Sequence, residues 1–497
     1  MKRIIRWRRS DERGTVPFPE GGLSPWVFAA TFLILVTPRF TAAQIRLGSF
    51  EITGFYQISA NPSSGHINPN NLGLLDRPGA PNFLLLRQLL DLRIYSQFDE
   101  NWSAFVQPRL FHDITKSADS RLRQYESLPA DFSGGNGVLL RTGGKDVKAE
   151  LWQAYVDYRK GNLWVRLGKQ SIAWGEAVAL RVLDTVNPLD LSQSLFFDRA
   201  AEEFDAIRIP QWFLRANHGL QNETIPDLTA EFLLNPGAVV PTLLPPQGSP
   251  YNVVPSIVKI NEKVSQGEPT VGGRLTGTVA DIQFSLNFIT KPNDDAVGVF
   301  KSISFLPSPP FAQIRLDGKH PRVYIVGGSA NYVWHKVGAV LRAETTVTPN
   351  APFQRGAAAT RIVERPVWKS VLAVDRPTYV FPDQDSMNIG FQFFETFTGG
   401  NGLNKVRSGG AKVDQALHQF SILLQQPLFQ KRLTLEFLWV YDNDDAHWLQ
   451  AGIHWEIGTN MRFDLFHNEF GGAEKRPGRL GSFFWADGTF LRFTYGF

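Results

Sequence analysis

The amino-acid sequence predicts an all-β protein: a transmembrane antiparallel β-barrel of about 16–18 strands with one loop folded inward. Three features of the chain lead to this fold class. Stretches of strand length alternate apolar and polar side chains, the connections between them alternate between short and long, and the amino terminus has the pattern of a secretory signal. Bacterial outer-membrane barrels combine these features.

The amino terminus predicts export across the inner membrane. Residues 1–43 are expected to be a signal peptide, followed by one outer-membrane β-barrel domain at 44–497. A basic segment precedes an apolar run at 26–36, and small residues at 41–43 offer a cleavage site. A single membrane anchor is the alternative, although the run is shorter than the roughly 18 residues of a spanning helix.

The charge of the predicted mature chain excludes a nucleic-acid partner. The whole chain has 51 Lys and Arg against 47 Asp and Glu, and residues 1–43 hold seven and three of these. Subtracting the leader leaves 44 of each, so the mature chain is formally neutral. Binding to phosphate backbones needs an excess of cations. The sequence also has no cysteine, which excludes disulfides and thiolate metal sites.

Alternation along the chain predicts the strands. They are, in order, 44–58, 83–98, 102–112, 148–158, 162–170, 203–215, 226–235, 271–279, 282–291, 322–334, 337–348, 367–380, 387–398, 414–426, 432–441, 447–457, 461–470 and 488–497. The count falls to about sixteen if 349–400 holds fewer strands. The long segments between alternate pairs are loops, and 236–268 is expected to be irregular because it is rich in proline.

One face of each strand is expected to meet lipid. In the strand that follows Lys431, Leu435, Phe437 and Trp439 share a side, and Glu436 lies on the other. This pattern fits an apolar outer wall around a wet lumen. A soluble sandwich would show the same alternation, but it has no reason to alternate short turns with long loops.

The segment after the hairpin 148–170 departs from this pattern. In the first arm of the hairpin, Trp152, Ala154 and Val156 are expected to share a face. Residues 172–202 then form a long, partly apolar insertion. Apolar side chains avoid water, and irregular backbone cannot satisfy its hydrogen bonds in lipid. We therefore expect this loop to fold into the barrel and narrow the pore.

Three motifs of this region occur in a known order. Gly168-Lys169-Gln170 is followed by Trp174-Gly175-Glu176 and by the Asp-x-x-Asn-Pro-x-Asp element at 184–190. This order resembles a family of proteobacterial outer-membrane proteins catalogued as a domain of unknown function, and the resemblance covers the whole predicted mature chain. It implies a porin-like barrel, for which a channel for hydrophobic or small organic compounds is the usual supposition.

The carboxyl end carries a second resemblance. Phe493, Tyr495 and Phe497 alternate at the end of the last predicted strand. This resembles the terminal signature of bacterial outer-membrane proteins. It implies a Gram-negative source and recognition of Phe497 by the barrel-assembly machinery.

Candidate residues for the pore and its constriction fall into two groups. The insertion contributes Trp174, Glu176, Arg181, Asp184 and Asp190, and the lumen faces of the strands contribute Arg166, Arg342, Glu344, Glu436, Glu456, Arg462 and Arg492. Structural roles compete with these functions. The aspartates can cap turns, Trp174 can brace the loop, and charges of mixed sign can form ion-pair ladders.

The sequence therefore predicts a passive outer-membrane channel for small organic solutes, hydrophobic ones included, rather than an enzyme. Its expected partners are outer-membrane lipid, the assembly machinery and the solute, with no cofactor or metal. Two alternatives remain open. One is a barrel that serves as a sheath or scaffold for a partner protein, and the other is an outer-membrane hydrolase, which needs an activated nucleophile that the scattered histidines do not suggest.

Overall fold

The computed structural model describes most of the chain from Ile45 onward. The described ranges are 45–71, 80–119, 138–143, 146–178, 180–192, 204–262, 267–308, 310–356, 358–443, 445–472 and 480–497, with Phe204 and Asp205 described by their backbone alone. The predicted signal peptide at 1–43 and residues 193–202 of the predicted inward loop lie outside the described residues.

Eighteen long strands form the barrel wall. In chain order they are β1 (Phe50–Pro62), β2 (Phe83–Gln97), β3 (Trp102–Asp113), β4 (Val147–Lys160), β5 (Leu163–Gln170), β6 (Gln211–Gly219), β7 (Thr229–Asn235), β8 (Thr270–Val279), β9 (Ile282–Pro292), β10 (Arg322–Trp334), β11 (Ala339–Arg355), β12 (Ile362–Thr378), β13 (Met387–Thr398), β14 (Ala416–Leu428), β15 (Leu433–Asp442), β16 (His447–Ile457), β17 (Met461–Gly471) and β18 (Gly488–Gly496). The region 349–400, where the count was open, holds the strands needed for eighteen.

The barrel closes between its first and last strands. Phe55 of β1 pairs with Gly496 of β18, and the antiparallel register continues to Ala60 and Leu491. The other barrel strands pair with their neighbours in the chain. Closure leaves no free edge in the wall, as a lipid surrounding requires. The predicted transmembrane antiparallel barrel is therefore confirmed.

Short and long connections lie at opposite ends of the barrel. The turn between β8 and β9 has two residues, Ala280 and Asp281, and both have positive φ, at 49° and 65°. This conformation matches the twist of a tight hairpin. The long connections, among them 171–210 and 293–321, join strands at their other ends, and this end of the barrel is the long-loop end.

The two faces of the wall differ in polarity as predicted. On β15 and β16, Leu435 and Ile453 face outward and are 40% and 38% exposed in the isolated chain. Glu436 and His454 point inward and are only 5% and 6% exposed. Outward apolar side chains and inward charged ones fit a barrel that stands in lipid.

The lumen also contains an apolar cluster, which the strand pattern did not predict. Inward side chains of β15–β18 pack against a 3-10 segment, Leu480–Ala486, that folds into the barrel. The cluster includes Leu438, Val440, Trp448, Phe466, Phe470, Trp485 and Phe490. These buried rings close part of the lumen at the long-loop end, because close-packed side chains leave little room for water.

The long-loop end carries a small sheet of its own. Val258–Glu262 pairs in parallel with Ala312–Lys319, which pairs antiparallel with Val297–Phe305. The expectation that 236–268 is wholly irregular is therefore wrong. The strand forms because Val258 and Ile260 lie beside Ile314 and Leu316 of its partner, and alternating apolar residues stabilise such pairs.

Short elements complete the described part of the chain. Strands Ile45–Leu47, Arg141–Gly143, Val406–Ser408 and Ala411–Lys412 extend the main sheet, helical turns occupy Thr115–Ala118 and Phe204–Ile207, and further 3-10 turns occupy Pro69–Asn71 and Leu403–Lys405. In the described ranges, no helix is long and apolar enough to cross a membrane.

Two local expectations are wrong. Strand β6 begins at Gln211 rather than at 203, because the chain first makes the helical turn Phe204–Ile207. Trp152 does not share the outward face of Val156. The register between β3 and β4 shifts beside Gln107, so a β-bulge turns the Trp152 side chain inward, where it is 2% exposed.

Candidate functional site: the inward loop

The Gly-Lys-Gln motif ends β5, and the chain enters the lumen directly after it. Gly168 has a φ of 140°, and a Cβ there would lie 2.3 Å from the carbonyl oxygen of Ala154. The buried Lys169 Nζ donates to the carbonyls of Leu139 and Leu151 at 2.7 and 2.6 Å. These contacts give the motif a structural role, since only glycine tolerates this backbone and the lysine ties two segments together.

Apolar side chains of the loop then pack on the inner wall. The packed set contains Ile172, Trp174, Leu183 and Val186 from the loop and Phe213, Leu233 and Ile289 from the wall. Trp174 is 3% exposed, and its indole nitrogen donates to Glu231 Oε1 at 2.8 Å. A Cβ on Gly175 would lie 2.7 Å from the Asp184 nitrogen. Trp174 thus braces the loop at a point where two backbone segments approach closely.

Glu344 of β11 holds the loop from a further part of the wall. Its Oε1 accepts hydrogen bonds from the Glu176 nitrogen and, at 3.1 Å, from the Ala177 nitrogen, while its Oε2 accepts from the Leu183 nitrogen at 3.1 Å. Val178 donates its N–H to Gln392 Oε1 of β13 at 3.2 Å. The loop therefore crosses the lumen from β5 to β11 and β13, and the predicted inward fold is observed for its described residues, 172–178 and 180–192.

The Asp-x-x-Asn-Pro-x-Asp element is fixed by buried polar contacts. Asp184 Oδ2 accepts from Arg208 at 2.7 Å, and Asp190 Oδ2 accepts from Arg141 at 2.6 Å. Asn187 Nδ2 donates to the Ile209 carbonyl at 2.7 Å, and its Oδ1 accepts from the Ile172 nitrogen at 2.9 Å. The side chains of Asp184, Asn187 and Asp190 thus tie the loop to itself and to neighbouring segments.

The candidate residues of the loop consequently occupy different surroundings. Asp184 and Asp190 are 6% and 3% exposed, so both are enclosed by their arginine partners. Arg181 is half-buried, and its Nε lies 3.3 Å from Asp184 Oδ2. Glu176 is exposed to the lumen and accepts a hydrogen bond from Asn331 at 3.1 Å. Of the four charged candidates in the loop, Glu176 and Arg181 face open space.

The candidates on the strands form ion pairs within the wall. Arg166 donates to Asp157 at 2.7 and 2.9 Å, and Arg342 pairs with Asp375. Arg462 lies 3.7 Å from Glu456. These pairs on adjacent strands are the contacts of an ion-pair ladder.

A buried network joins the remaining strand candidates. Arg462 and Arg492 both donate to Asp464, at 2.7 and 2.9 Å. His454 also contacts Asp464, through Nδ1 at 2.7 Å, and its Nε2 lies 3.6 Å from Glu436. The fold thus brings Glu436, Arg462 and Arg492 together, while Arg166 and Arg342 lie on other parts of the wall.

Sequence reasoning missed three cations that fix the loop. Arg141 and Arg208 belong to long connections, and Lys291 donates to the carbonyls of Thr185 and Val186 from the end of β9. Lys291 also lies 2.7 Å from Asp294. No local pattern marks these residues, because the loop residues that each of them contacts are distant in the chain.

Two cavities lie beside the loop. A cavity of about 690 Å³ at the long-loop end is bordered by loop residues such as Arg181 and Leu189 and by wall residues such as Lys291 and Lys369. A second, of about 170 Å³, lies between the loop and strands β1–β4 and β18. Its lining consists of Phe55, Gln57, Ser59, Leu85, Arg87, Leu89, Arg109, Phe111, Trp152, Asp190, Ala206, Ile207, Phe490 and Arg492.

Comparison with solved structures finds similar chains, of which OccAB3 supports the fold. The outer-membrane protein OccAB3 of Acinetobacter baumannii has a TM-score of 0.50 at 9% identity, over 91% of this chain and 100% of that one. OccK9 (OpdG) of Pseudomonas aeruginosa has a TM-score of 0.49 at 10% identity, over 90% and 97%. At these identities the likeness concerns the fold alone.

Comparison at the level of sequence finds one family. No curated protein matches the chain. A family model with the description "Protein of unknown function (DUF1302)" matches residues 85–363, which is more than half of the chain and includes the three motifs of the loop region.

Proposed function

For this chain, which belongs to the family described as "Protein of unknown function (DUF1302)", we propose the function of a passive outer-membrane channel for small organic solutes. The observation that carries the proposal is the inward loop, which crosses a closed transmembrane barrel from β5 and is held by side chains of β7, β11 and β13. A loop fixed in this way narrows a water-filled barrel, and the pore size then limits the solutes that pass.

The lining of the cavity at the long-loop end contains both charged and apolar side chains. Its lining includes the cations Lys369 and Arg407 and the acids Asp295 and Asp414. Apolar side chains such as Val323 border the same space. A mixed lining of this kind favours small organic molecules with both polar and apolar parts, hydrophobic ones included.

The membrane and assembly partners belong to the same proposal. The outward apolar face suits outer-membrane lipid, with the long-loop end outside the cell and the tight turns in the periplasm. Phe497 lies at the closing seam, where its backbone exchanges hydrogen bonds of 3.0 and 2.9 Å with Gly54. We assign recognition by the barrel-assembly machinery to this terminal strand and export to the signal peptide.

The filled lumen disfavours the sheath alternative. The inward loop and the segment Leu480–Ala486 both occupy space that an enclosed partner protein would need. A channel for small molecules needs only the narrower space beside them. The hydrolase alternative has no specific observation in its favour and is not proposed.

Loop replacement tests the channel function. Replacing residues 177–198 by a short Gly-Ser linker removes the Ala177 and Leu183 contacts with Glu344 and the Val178 contact with Gln392, while Trp174 stays in place. Single-channel conductance in planar bilayers is expected to rise and solute discrimination to weaken, because a wider pore resists ion flow less.

A linker of the same composition inserted in the exposed turn after Lys336 is expected to leave conductance unchanged. Unchanged conductance in a folded loop variant would place the loop outside the conducting path. No channel events for the wild-type chain at any voltage would reject the channel function itself.

A further inference from the structure

The smaller cavity beside the loop has the chemistry of a binding site. Three arginines border it: Arg87 from β2, Arg109 from β3 and Arg492 from β18. Each is anchored by a carboxylate, at 3.1 Å for Asp113, 2.7 Å for Asp91 and 2.9 Å for Asp464. These carboxylates hold the guanidinium groups at the cavity wall in fixed positions.

Arginines outnumber carboxylates among the described residues that line the cavity. The three anchoring carboxylates do not line the cavity. Within the described residues, the one carboxylate in its lining is Asp190, which is bonded to Arg141 at 2.6 Å and to Ser192. An anion that enters therefore meets the N–H groups of three arginines, while the carboxylates that balance their charge lie outside the described lining and Asp190 is held by Arg141.

Aromatic rings surround the same space. The guanidinium carbon of Arg109 lies 4.1 Å from the ring centre of Trp152, and that of Arg492 lies 5.9 Å from the ring centre of Phe490. Phe111 also lines the cavity and is 3% exposed. A planar ring in the ligand can stack on these side chains while its charged group meets the guanidinium forks.

The size of the cavity limits the ligand to one ring. Its volume is about 170 Å³, and an apolar cavity of about 150 Å³ holds one benzene molecule. The arginines are already oriented by their ion pairs, so binding needs little further ordering of the site.

We propose that this cavity is a binding site for a single-ring aromatic anion, with a carboxylate or a phosphate ester as its charged group. The site goes beyond the proposed channel function, since binding is measured without transport. A channel with such a site would retain these anions in its lumen rather than pass every small solute alike.

Calorimetric titration of the refolded chain, residues 44–497, in detergent micelles tests the site. Benzoate is expected to bind saturably with one site per chain. Acetate, which lacks the ring, and benzyl alcohol, which lacks the charge, are expected to bind at least about tenfold more weakly. Benzyl alcohol binding as tightly as benzoate would overturn the proposal. Titration with phenyl phosphate identifies the preferred charged group. A carboxylate is preferred if benzoate binds more tightly, and a phosphate ester is preferred if phenyl phosphate does.

Matched variants locate the site. Arg109→Gln is expected to weaken benzoate binding at least about tenfold, since it removes a charged donor. Arg215→Gln is the control, because Arg215 is also a lumen arginine paired with a carboxylate, Glu231 at 2.7 Å, but does not line the cavity. Equal benzoate affinity for Arg109→Gln and the wild-type chain would overturn the assignment.

A second variant covers a failure of Arg109→Gln to fold. Trp152→Leu keeps every charge and removes the stacking ring, so benzoate binding is expected to weaken several-fold while acetate binding stays the same. Unchanged benzoate affinity in this variant would also overturn the proposal. Benzoate binding by a chain that conducts no ions would reject the channel function and leave the binding site standing.

Discussion

At the scale of single residues, one carboxylate determines where the inward loop lies. Glu344 is 5% exposed and accepts three backbone N–H groups of the loop. A carboxylate can serve all three because both of its oxygens are acceptors. An amide has one acceptor oxygen, and its NH₂ group would oppose at least one loop N–H.

Glu344→Gln is therefore expected to loosen the loop. Hydrogen exchange of the Ala177 and Leu183 amides should become at least about tenfold faster, since a hydrogen bond to a charged group contributes about 1.5–3 kcal/mol. Glu436→Gln is the control, because Glu436 accepts from Gln425 at 2.8 Å rather than from the loop. Unchanged exchange in Glu344→Gln would show that the other contacts of the loop hold it without Glu344.

Gly168 permits the close approach of β4 and β5 just before the chain enters the lumen. Gly168→Ala is expected to lower the free energy of unfolding by about 3 kcal/mol or more, because its φ is 140° and the new Cβ would overlap the carbonyl of Ala154. Gly161→Ala should cost only about 1–2 kcal/mol, since its φ is 56° and no atom lies within 4 Å of the added Cβ. Urea unfolding of both variants in vesicles makes the comparison, and equal costs would contradict it.

At the scale of elements, successive side chains of each strand point alternately to the lipid and to the lumen. Leu435 of β15 faces outward and pairs with Ile453 in the middle of β16. Leu435→Arg is expected to destabilise the barrel by about 2–4 kcal/mol, the cost of an arginine near the bilayer midplane.

The neighbouring residue provides the matched control. Thr434 faces the lumen, so Thr434→Arg places the same side chain in water and should cost less than about 1 kcal/mol. Folding titrations in lipid vesicles measure both changes. A larger cost at Thr434 would mean that the face assignment of β15 is reversed.

At the scale of the whole molecule, the small outer sheet is joined to the barrel through a histidine. His320 is 9% exposed, its Nδ1 lies 2.8 Å from the Asn293 carbonyl, and its Nε2 lies 3.0 Å from Glu262. Burial opposes the charged imidazole, but the contacts with Glu262, the Asn293 carbonyl and Asp294 outweigh it and raise the pKa of His320 above its ordinary value of 6.5.

This pKa predicts a pH dependence of the outer sheet. A raised folded-state pKa contributes stability that is fully present below pH 6.5 and is lost as pH rises through the folded value. Proteolysis of the strands Val258–Glu262 and Ala312–Lys319 is therefore expected to accelerate as pH rises above 6.5. His320→Gln should remove this dependence, and the same pH profile in the variant would exclude His320 as its source.

The sequence by itself determined the wall of this protein. Alternation with period two is a local property, so the strands, their two faces and the short turns could be predicted from neighbouring residues. The apolar content of the segment after Gln170 likewise predicted an inward loop, because neither water nor lipid suits such a segment. The bulge at Trp152 was not predictable, since one extra residue is visible only against the partner strand.

Only the tertiary structure decided which side chains meet inside the barrel. Glu344 follows the loop that it holds by more than 160 residues, and Arg109 and Arg492 border one cavity although they lie on β3 and β18. These contacts form only when the sheet closes, because the register of every strand fixes the height at which its inward residues lie. An ion pair such as Asp184 with Arg208 leaves no periodic trace in the sequence, so partner and role emerge only when the barrel is closed.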